Sequence, residues 1–506
     1  MPVLLINLRK HNFYFELYNN KISITITTRI QVVCDFGEQG SLDRPAGNGR
    51  KWAASVKRGQ MTLPLALVKD EEQRGQPAGE FVSEVSRKGM RNAIIGACYK
   101  VFSTSILTNG LMLVYLTALK LDGTTILVLL SLCNGLLAFA LIPCAHLADV
   151  YGKRRVTLWG IALCGVGFVF IPLAAWVSAG LTVGLLSLGI ALFGIGQAGQ
   201  MAPWYALLAP IVPSFYRGRF FGALRVSWQV CAVILTGLIA LLLPRETSLP
   251  LLTGILIVLG LSILPWGMYF ARIPELERAT CLARDLPRDL GSILRSGGYL
   301  PFCAYLFIIA LFTGGCLTMF GLVEKQVLGM GDSKVMMLAN LTMIGAVIGF
   351  YFGGKAVDRI GTKPIFLMCH FGYGASLALF VMRDNLFLPP LYLLAMIHAV
   401  FGGLAAAGSI AFATEMLALI PAVRKSLSTS ICTTMTMAGA ALSGLLGAWG
   451  IRLGLFAESW TLAGGSRSAY DAVLMIYAVL IVLMTVTLGL IPSVVGRPEL
   501  RGSPAI

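Results

Sequence analysis

Two short segments of the sequence place an aspartate three residues before a glycine, with basic residues close by. The first is Ala145–Arg155 (AHLADVYGKRR), and the second is Gly354–Lys363 (GKAVDRIGTK). In both, the aspartate ends a long apolar run, where a carboxylate can pair reversibly with cations or with the positive end of a helix. Asp149 and Asp358 are 209 residues apart. The pattern predicts reversible ion pairing rather than catalysis, in a chain built of two related halves.

The composition is that of a protein with many membrane-spanning helices. Of the 506 residues, 57% are hydrophobic and only 13% are charged, against about 25% charge in a soluble domain. The net charge of +16 is therefore attributed to basic cytoplasmic loops rather than to nucleic-acid binding. The eleven cysteines and four histidines are scattered without a CxxC pair. We expect no metal and no cofactor, and we expect the lipid bilayer as the surrounding partner.

Twelve apolar segments follow Arg91, and each is long enough to cross a hydrocarbon core about 30 Å thick. The predicted helices cover residues 92–118, 124–148, 156–178, 181–209, 219–243, 249–271, 299–322, 335–357, 364–382, 388–418, 427–450 and 470–491. The connections on one side hold 19 lysines and arginines, and those on the other side hold 7. Because basic loops stay inside the cell, we expect both termini to be cytoplasmic.

The predicted helices divide the chain into five regions. Residues 1–90 form a polar, largely disordered tail, residues 91–271 a first six-helix bundle, and residues 299–495 a second; 272–298 form a cytoplasmic linker with amphipathic helices, and 496–506 a cytoplasmic tail. Within the first tail, the alternating residues Lys21–Val33 could form a strand. We also expect that translation could begin at Met61, so that residues 1–60 would be absent from the cellular protein.

The chain resembles the major facilitator superfamily of secondary transporters over about residues 91–495. The resemblance rests on two sets of six helices, a long middle loop, and the signature G-x-L-a-D-r-x-G-r-k in both halves. The first copy departs from the signature at Ala145 and Val150, and the second at Ala356 and Thr362. The resemblance implies an all-α fold of two pseudo-symmetric six-helix bundles. It also implies a cell (inner) membrane protein that binds a small-molecule substrate and acts as a monomer.

The resemblance further implies that the two signatures close the cytoplasmic mouth. Asp149 would face the start of the eleventh helix near Lys425–Ser430, and Asp358 would face the start of the fifth near Arg219. The expected gating residues are Asp149, Gly152, Lys153, Arg154, Arg155, Gly354, Asp358, Arg359, Gly361 and Lys363. The alternative interpretation is that each loop is only a turn carrying charges that set the topology.

Most candidate substrate or coupling residues lie inside helices one, four, seven and ten, which the resemblance places around a central cavity, and two lie in helix five. They are Lys100, Asn109, Gln197, Gln200, Trp204, Tyr205, Trp228, Gln229 and His398. Lys100 could bind an anion or extend to the membrane surface, and His398 could carry protons or only pack. Trp228 and Gln229 could instead bond neighbouring helices. Because no Asp or Glu lies deep in any predicted helix, we expect no buried carboxylate in the mechanism.

The leading hypothesis is a secondary active or facilitative transporter that moves a small organic solute by alternating access. A solute sensor that resembles a transporter but moves nothing is the alternative hypothesis. A membrane enzyme is disfavoured because the linker 272–298 has acidic residues but no histidine. An ATP-driven pump is disfavoured because the sequence contains no P-loop motif. Uniport and ion coupling both stay open at this stage.

Overall fold

The structure is a computed structural model. It describes strands within residues 4–26 and most of residues 83–486; residues 109, 214–216, 277–289, 292, 296–297, 387 and 420–424 are outside the description, as are side chains at 105–108, 179, 217–219, 358, 417 and 425–426. The chain forms two separate units, Met1–Phe81 and Val82–Ile506. The first contains an antiparallel sheet of strands β1 (Leu4–Leu8), β2 (His11–Tyr18) and β3 (Lys21–Ile26).

Strand β3 lies within the segment Lys21–Val33, where the alternating pattern predicts a strand. It pairs with β2 in a register that sets Phe13 against Ile26 and Tyr18 against Lys21. Met61 and the rest of the tail up to residue 82 lie outside the described residues. The proposed alternative start therefore stays a prediction.

The first half of the second unit is helical. Its helices are α1 (Glu84–Thr108), α2 (Leu111–Ala118), α3 (Gly123–Tyr151), α4 (Lys153–Leu173), α5 (Ala179–Met201), α6 (Trp204–Leu208), α7 (Arg217–Leu242), α8 (Leu249–Gly260) and α9 (Ile263–Ala271), with a 3-10 turn at Ala174–Trp176. The predicted helix 92–118 corresponds to α1 and α2, which are separated near Gly110, where φ is 81°. A left-handed residue interrupts a right-handed helix, and glycine adopts that conformation without a steric penalty.

The second half repeats this arrangement. It contains α10 (Tyr299–Thr313), α11 (Cys316–Leu322), a π-helix (Val323–Val327), α12 (Asp332–Ile360), α13 (Thr362–Val381), α14 (Pro390–Leu419), α15 (Lys425–Arg452), the hairpin β4 (Ser459–Leu462) and β5 (Gly465–Ser468), and α16 (Ala469–Leu483). Among the described residues, eleven helices are long and apolar enough to cross a membrane. The broken first helix α1–α2 is not among those eleven. Of the predicted linker, residues 272–276, 290–291, 293–295 and 298 are described, and short helical stretches lie at 290–291 and 293–294.

One predicted boundary is wrong in a way that matters for the site. The seventh predicted helix ends at residue 322, but the apolar span in the structure runs from Tyr299 to Val327. Glu324 and Lys325 therefore lie inside this span rather than in a loop. The extension takes the form of a π-helix, a geometry that is often found at functional sites.

The two halves meet along two long helix pairs. Helix α3 packs along α15, and α7 packs along α12. Within the second half, α12 and α14 approach so closely that a Cβ at Gly402 would collide with the Thr342 carbonyl oxygen. Small residues allow this distance, and close packing is the main force that joins helices in lipid.

Candidate functional site

The first aspartate motif is built around a turn between α3 and α4. Gly152 has φ 102° and both ends α3 and begins α4, so the predicted tight turn at this glycine is confirmed. The backbone N–H of Lys153, the first residue of α4, donates to Oε1 of Glu275 at 2.7 Å. A carboxylate at this position satisfies a free helix N–H and interacts favourably with the positive end of the helix.

The second motif has the same construction. Gly361 has φ 84° and joins α12 to α13. Thr362, the first residue of α13, donates its hydroxyl to Oε2 of Glu415 at 2.7 Å, and both side chains are buried. Each half therefore places a glutamate at the start of the helix that follows the glycine. We name the end of the bundle that carries Gly152 and Gly361 the motif end, and the opposite end the far end.

The predicted gating contacts of the two aspartates stay predictions. Asp149 is an exposed residue of α3 with partners of its own, and its predicted neighbours at residues 425–426 have side chains outside the description. The side chain of Asp358 is also outside the description. Among the motif cations, the Lys153 ammonium group lies 3.5 Å from the Ala206 carbonyl oxygen, and Arg154, Arg155, Gly354, Arg359 and Lys363 lie at the same end of the bundle.

Lys100 lies in α1 and points into the first half. Its ammonium group donates to Oε1 of Gln200 at 2.5 Å and lies 5.8 Å from the centre of the Trp266 ring. Gln200 and Trp266 are both buried. The sequence therefore identified two residues, Lys100 and Gln200, that the structure brings together. In the described part of the chain, no carboxylate pairs with this ammonium group.

The other amide and aromatic candidates are distributed around this site. The Trp204 ring packs 5.9 Å from Phe270, and the Tyr205 ring packs 6.0 Å from Phe221, so neither ring contact is with Lys100. Gln197 is half-buried in α5. Asn109, at the break between α1 and α2, lies outside the described residues.

Trp228 and Gln229 join the two halves. Gln229 donates to the Met343 carbonyl oxygen at 3.2 Å, and the Trp228 ring lies edge-on to Phe350 at 6.3 Å. Both partners belong to α12, whereas Trp228 and Gln229 belong to α7. These contacts match the alternative interpretation of the two residues as bonds between helices.

His398 lies in a buried cluster that includes a carboxylate. Its Nε2 atom lies 2.7 Å from Oε1 of Glu324, and its Nδ1 atom lies 2.8 Å from the Thr342 hydroxyl. Only 1% of Glu324 and 3% of His398 are exposed. The expectation that no Asp or Glu lies deep in a helix is therefore wrong, because Glu324 lies inside the extended seventh span. By contrast, His370 packs against the Tyr305 hydroxyl and the Ile481 carbonyl oxygen.

A partly open cavity separates the halves beside this cluster. The first half contributes residues near Gly110 and Leu130, and the second half contributes most of the remaining wall. The full lining is Gly110, Met112, Leu113, Leu130, Leu317, Thr318, Gly321, Glu324, Val335, Ala339, Thr342, Met343 and His398. Of these lining residues, only Glu324 and His398 have ionisable side chains. In the part of the chain that the structure describes, no group of three or more His, Cys, Asp or Glu is placed to hold a metal ion.

The far end is closed by polar contacts between the halves. On one side, Arg452 of α15 donates to the hydroxyls of Thr124 and Thr125 at 2.9 and 2.8 Å. Partial burial acts to raise the pKa of Asp122, but the hydrogen bonds from these threonines and the charge of Arg452 outweigh it and lower the pKa to about 2. The Asp122 carboxylate therefore stays charged throughout the physiological pH range.

On the other side, the contacts centre on Asp332 at the start of α12. Its carboxylate accepts from the Thr247 N–H at 2.8 Å, and its own N–H donates to the Arg245 carbonyl oxygen at 2.9 Å. Its second carboxylate oxygen lies 2.6 Å from the Lys325 ammonium group. The neighbouring Ser333 donates to the Ala240 carbonyl oxygen at 2.6 Å. Asp332 thus links the π-helix of one half to the α7–α8 loop of the other.

Comparisons with known proteins agree with this architecture. Residues 93–339 match the family model described as Major Facilitator Superfamily. The enterobactin exporter EntS of Shigella dysenteriae is 26% identical over 384 residues, which cover 71% of this chain and 82% of the exporter. A crystal structure of a D-xylose-proton symporter superimposes with a TM-score of 0.59 at 14% identity, covering 81% of this chain and 98% of the symporter. The crystal structure of the nucleoside transporter NupG gives a TM-score of 0.56 at 14% identity, covering 80% of this chain and 98% of that transporter.

Proposed function

The chain belongs to the major facilitator superfamily, and from this premise we propose that it moves a small organic solute across the cell (inner) membrane by alternating access. It is a membrane-spanning transport protein, not an enzyme. The observation that carries the proposal is the cavity between the halves, closed at the far end by contacts around Arg452 and Asp332. Rocking of the halves would break these contacts and form others at the motif end. One chain supplies every element of this mechanism, so we propose that it acts as a monomer.

We propose that the solute carries a negative charge or a strong hydrogen-bond acceptor. Lys100 supports this choice, since its ammonium group pairs with the neutral amide of Gln200 and lies over the Trp266 ring. An ammonium group desolvated among such neighbours gains most from a ligand that brings the missing negative charge. The aromatic ring beside it would also pack against an apolar part of the solute.

The proposal is tested by finding a bound solute and then measuring its movement. Purified protein is screened for thermal stabilisation against a metabolite panel that includes enterobactin, the solute named for the relatives, because a bound ligand raises apparent stability. The stabilising solute is then followed into proteoliposomes. We expect uptake or exchange by the wild-type protein. A solute that binds but does not move would support the sensor hypothesis instead.

Asp149→Asn is expected to slow this transport by roughly tenfold, because a carboxylate near the start of a helix contributes up to about 2 kcal/mol that asparagine does not. The amount of protein in the membrane should change little, since Asp149 is exposed. Initial rates normalised to protein amount measure the effect. The control is Glu458→Gln, which removes the charge of an exposed carboxylate at the far end. Equal rates for Asp149→Asn and wild type would contradict the gating role of the motif.

The motif end is proposed to face the cytoplasm, with both termini inside. A membrane-impermeant maleimide added to intact cells is expected to label Ser466→Cys in strand β5 but not Arg155→Cys in α4, because the two exposed positions lie at opposite ends of the bundle. Labelling after permeabilisation should modify both variants. Labelling of Arg155→Cys alone in intact cells would reverse the orientation.

A further inference from the structure

Glu324 and His398 form the buried titratable pair beside the cavity. They come from the π-helix and from α14, and their side chains meet at 2.7 Å. A buried carboxylate is costly unless it is paired or neutralised. The pair therefore has a reason to bind a proton, since one added proton brings its total charge to zero. The free-energy difference between the pair with and without this proton depends on the charges around the cluster.

Thr342 lets the pair accept a proton without losing a hydrogen bond. With His398 neutral, Nε2–H donates to Glu324 and the Thr342 hydroxyl donates to Nδ1. With a proton added at Nδ1, that N–H donates to the Thr342 oxygen, and the hydroxyl turns toward the Leu338 carbonyl oxygen, 3.5 Å away. Both states keep His398 bonded at both nitrogens. The cluster is thus built to hold either charge state.

The same π-helix connects this pair to the closed far end. Lys325 follows Glu324 directly and forms the 2.6 Å ion pair with Asp332. Asp332 in turn holds the Thr247 N–H of the opposite half at 2.8 Å. Without the added proton, the charge of Glu324 is not balanced by His398 and would attract the Lys325 ammonium group away from Asp332, since two carboxylates then compete for one cation. A protonated pair would leave Lys325 on Asp332 and keep the far end closed.

We propose that Glu324 and His398 together form the proton-binding site of this transporter, and that loss of the proton opens the far end through Lys325 and Asp332. The proton comes from water in the cavity and binds at Nδ1 of His398, while Thr342 reverses its hydrogen bond. This inference rests on the transport function proposed above. It adds a coupling ion, H⁺, to the solute and assigns its site to the second half of the chain.

The surroundings of the pair restrict what else could respond to pH. Among the described residues, the charged groups linked to it are Lys325 on the same π-helix and Asp332 on α12. The cavity walls contributed by α2, α3, α11 and α12 are apolar apart from the hydroxyls of Thr318 and Thr342. At the other side of the far end, Asp122 has its pKa lowered to about 2. A far-end response near neutral pH would therefore point to Glu324 and His398.

The experiment measures far-end opening without any solute. Spin labels are placed on Glu246→Cys and Lys334→Cys, two exposed positions on opposite halves, and distances are measured in proteoliposomes between about pH 5 and about pH 8. In this double-cysteine protein, we expect the ratio of molecules with the short distance to molecules with the long distance to be about tenfold larger at low pH than at high pH. Glu324→Gln should give the short distance at every pH, because glutamine removes the negative charge that the added proton on His398 otherwise balances. Lys325→Met should give the long distance at every pH.

The controls separate this proposal from a general loss of structure. Glu415→Gln removes another buried carboxylate of the same half and should keep the pH response, and thermal unfolding checks that every variant is folded. The native cysteines are controlled by labelling the chain without the two new cysteines. A pH response that persists in folded Glu324→Gln would overturn the proposal. Failure of the transport function would appear differently, as a normal pH response in a protein that moves no solute in proteoliposomes.

Discussion

Lys100→Met is expected to weaken binding of the transported solute by roughly ten- to a hundredfold, because a hydrogen bond to a charged group contributes about 1.5–3 kcal/mol. The methionine keeps the length and packing of the side chain, so the change removes the charge and the bond to Gln200 and little else. Thermal-shift titration of the purified variant with the solute that stabilises the wild-type protein measures the dissociation constant. A neutral compound of the same shape should bind both proteins equally.

Lys120→Met is the matched control, since Lys120 is an exposed lysine at the far end and its loss removes the same charge without touching the first-half site. Lys100→Arg should give intermediate affinity, because the guanidinium group keeps the charge but is larger and planar, and so cannot reproduce the contacts of the ammonium group. If Lys100→Met bound the solute with unchanged affinity, Lys100 would instead extend to the membrane surface or pack between helices. The anionic class of solute would then be wrong, although transport itself would not be in question.

Oxidation of the double variant Ser131→Cys/Gly444→Cys is expected to reduce transport by at least roughly tenfold, because movements between closed and open forms limit turnover in proteins of this kind. Ser131 lies on α3 and Gly444 on α15, so the pair spans the two halves. A Cβ at Gly444 would lie 3.4 Å from the Ser131 Cβ, close to the ~3.5–4.5 Å found in disulfides. The bond would tie the halves together beside Leu130, which lines the cavity.

Initial rates of solute uptake before and after reduction measure this effect, and reduction should restore the rate. The single variant Ser131→Cys and the wild-type chain receive the same oxidant. The wild-type control matters because Cys303 and Cys432 already lie 3.6 Å apart at their sulfur atoms. Full transport by a double variant whose disulfide is verified by mass spectrometry would show that the two halves need not separate at this level.

The features predictable from the sequence are those whose information is local. The aspartate motifs predicted a glycine turn, and Gly152 and Gly361 have the positive φ values that such turns require. The apolar runs predicted the helices, and the position of Lys100 in such a run marked it as a candidate. These signals extend over a few residues or one helix. They do not depend on which helix lies next to which.

The residues that the sequence did not reveal depend on contacts between distant segments. Glu324 stands next to Lys325 at the end of an apolar run, a pattern that also fits a polar loop. Glu324 can be buried in the membrane span because its carboxylate pairs with His398, which is 74 positions away in the sequence. Glu275 reads as part of an amphipathic linker, yet it holds the start of α4 across 122 positions. Glu324 and His398 changing together among aligned relatives would be the signal that identifies the first of these.

The contacts around Arg452 have a consequence for the working speed of the molecule. Arg452 and Asp122 are 49% and 63% exposed at their side chains, and exposed ion pairs of this kind contribute only about 0–1 kcal/mol. The contact between Arg452 and Asp122 therefore contributes little free energy to closing the far end. Breaking this contact therefore costs little free energy, and the binding energy of an ordinary metabolite can contribute to redistributing the two forms. Tightening this contact by design should trap the protein and lower its turnover number.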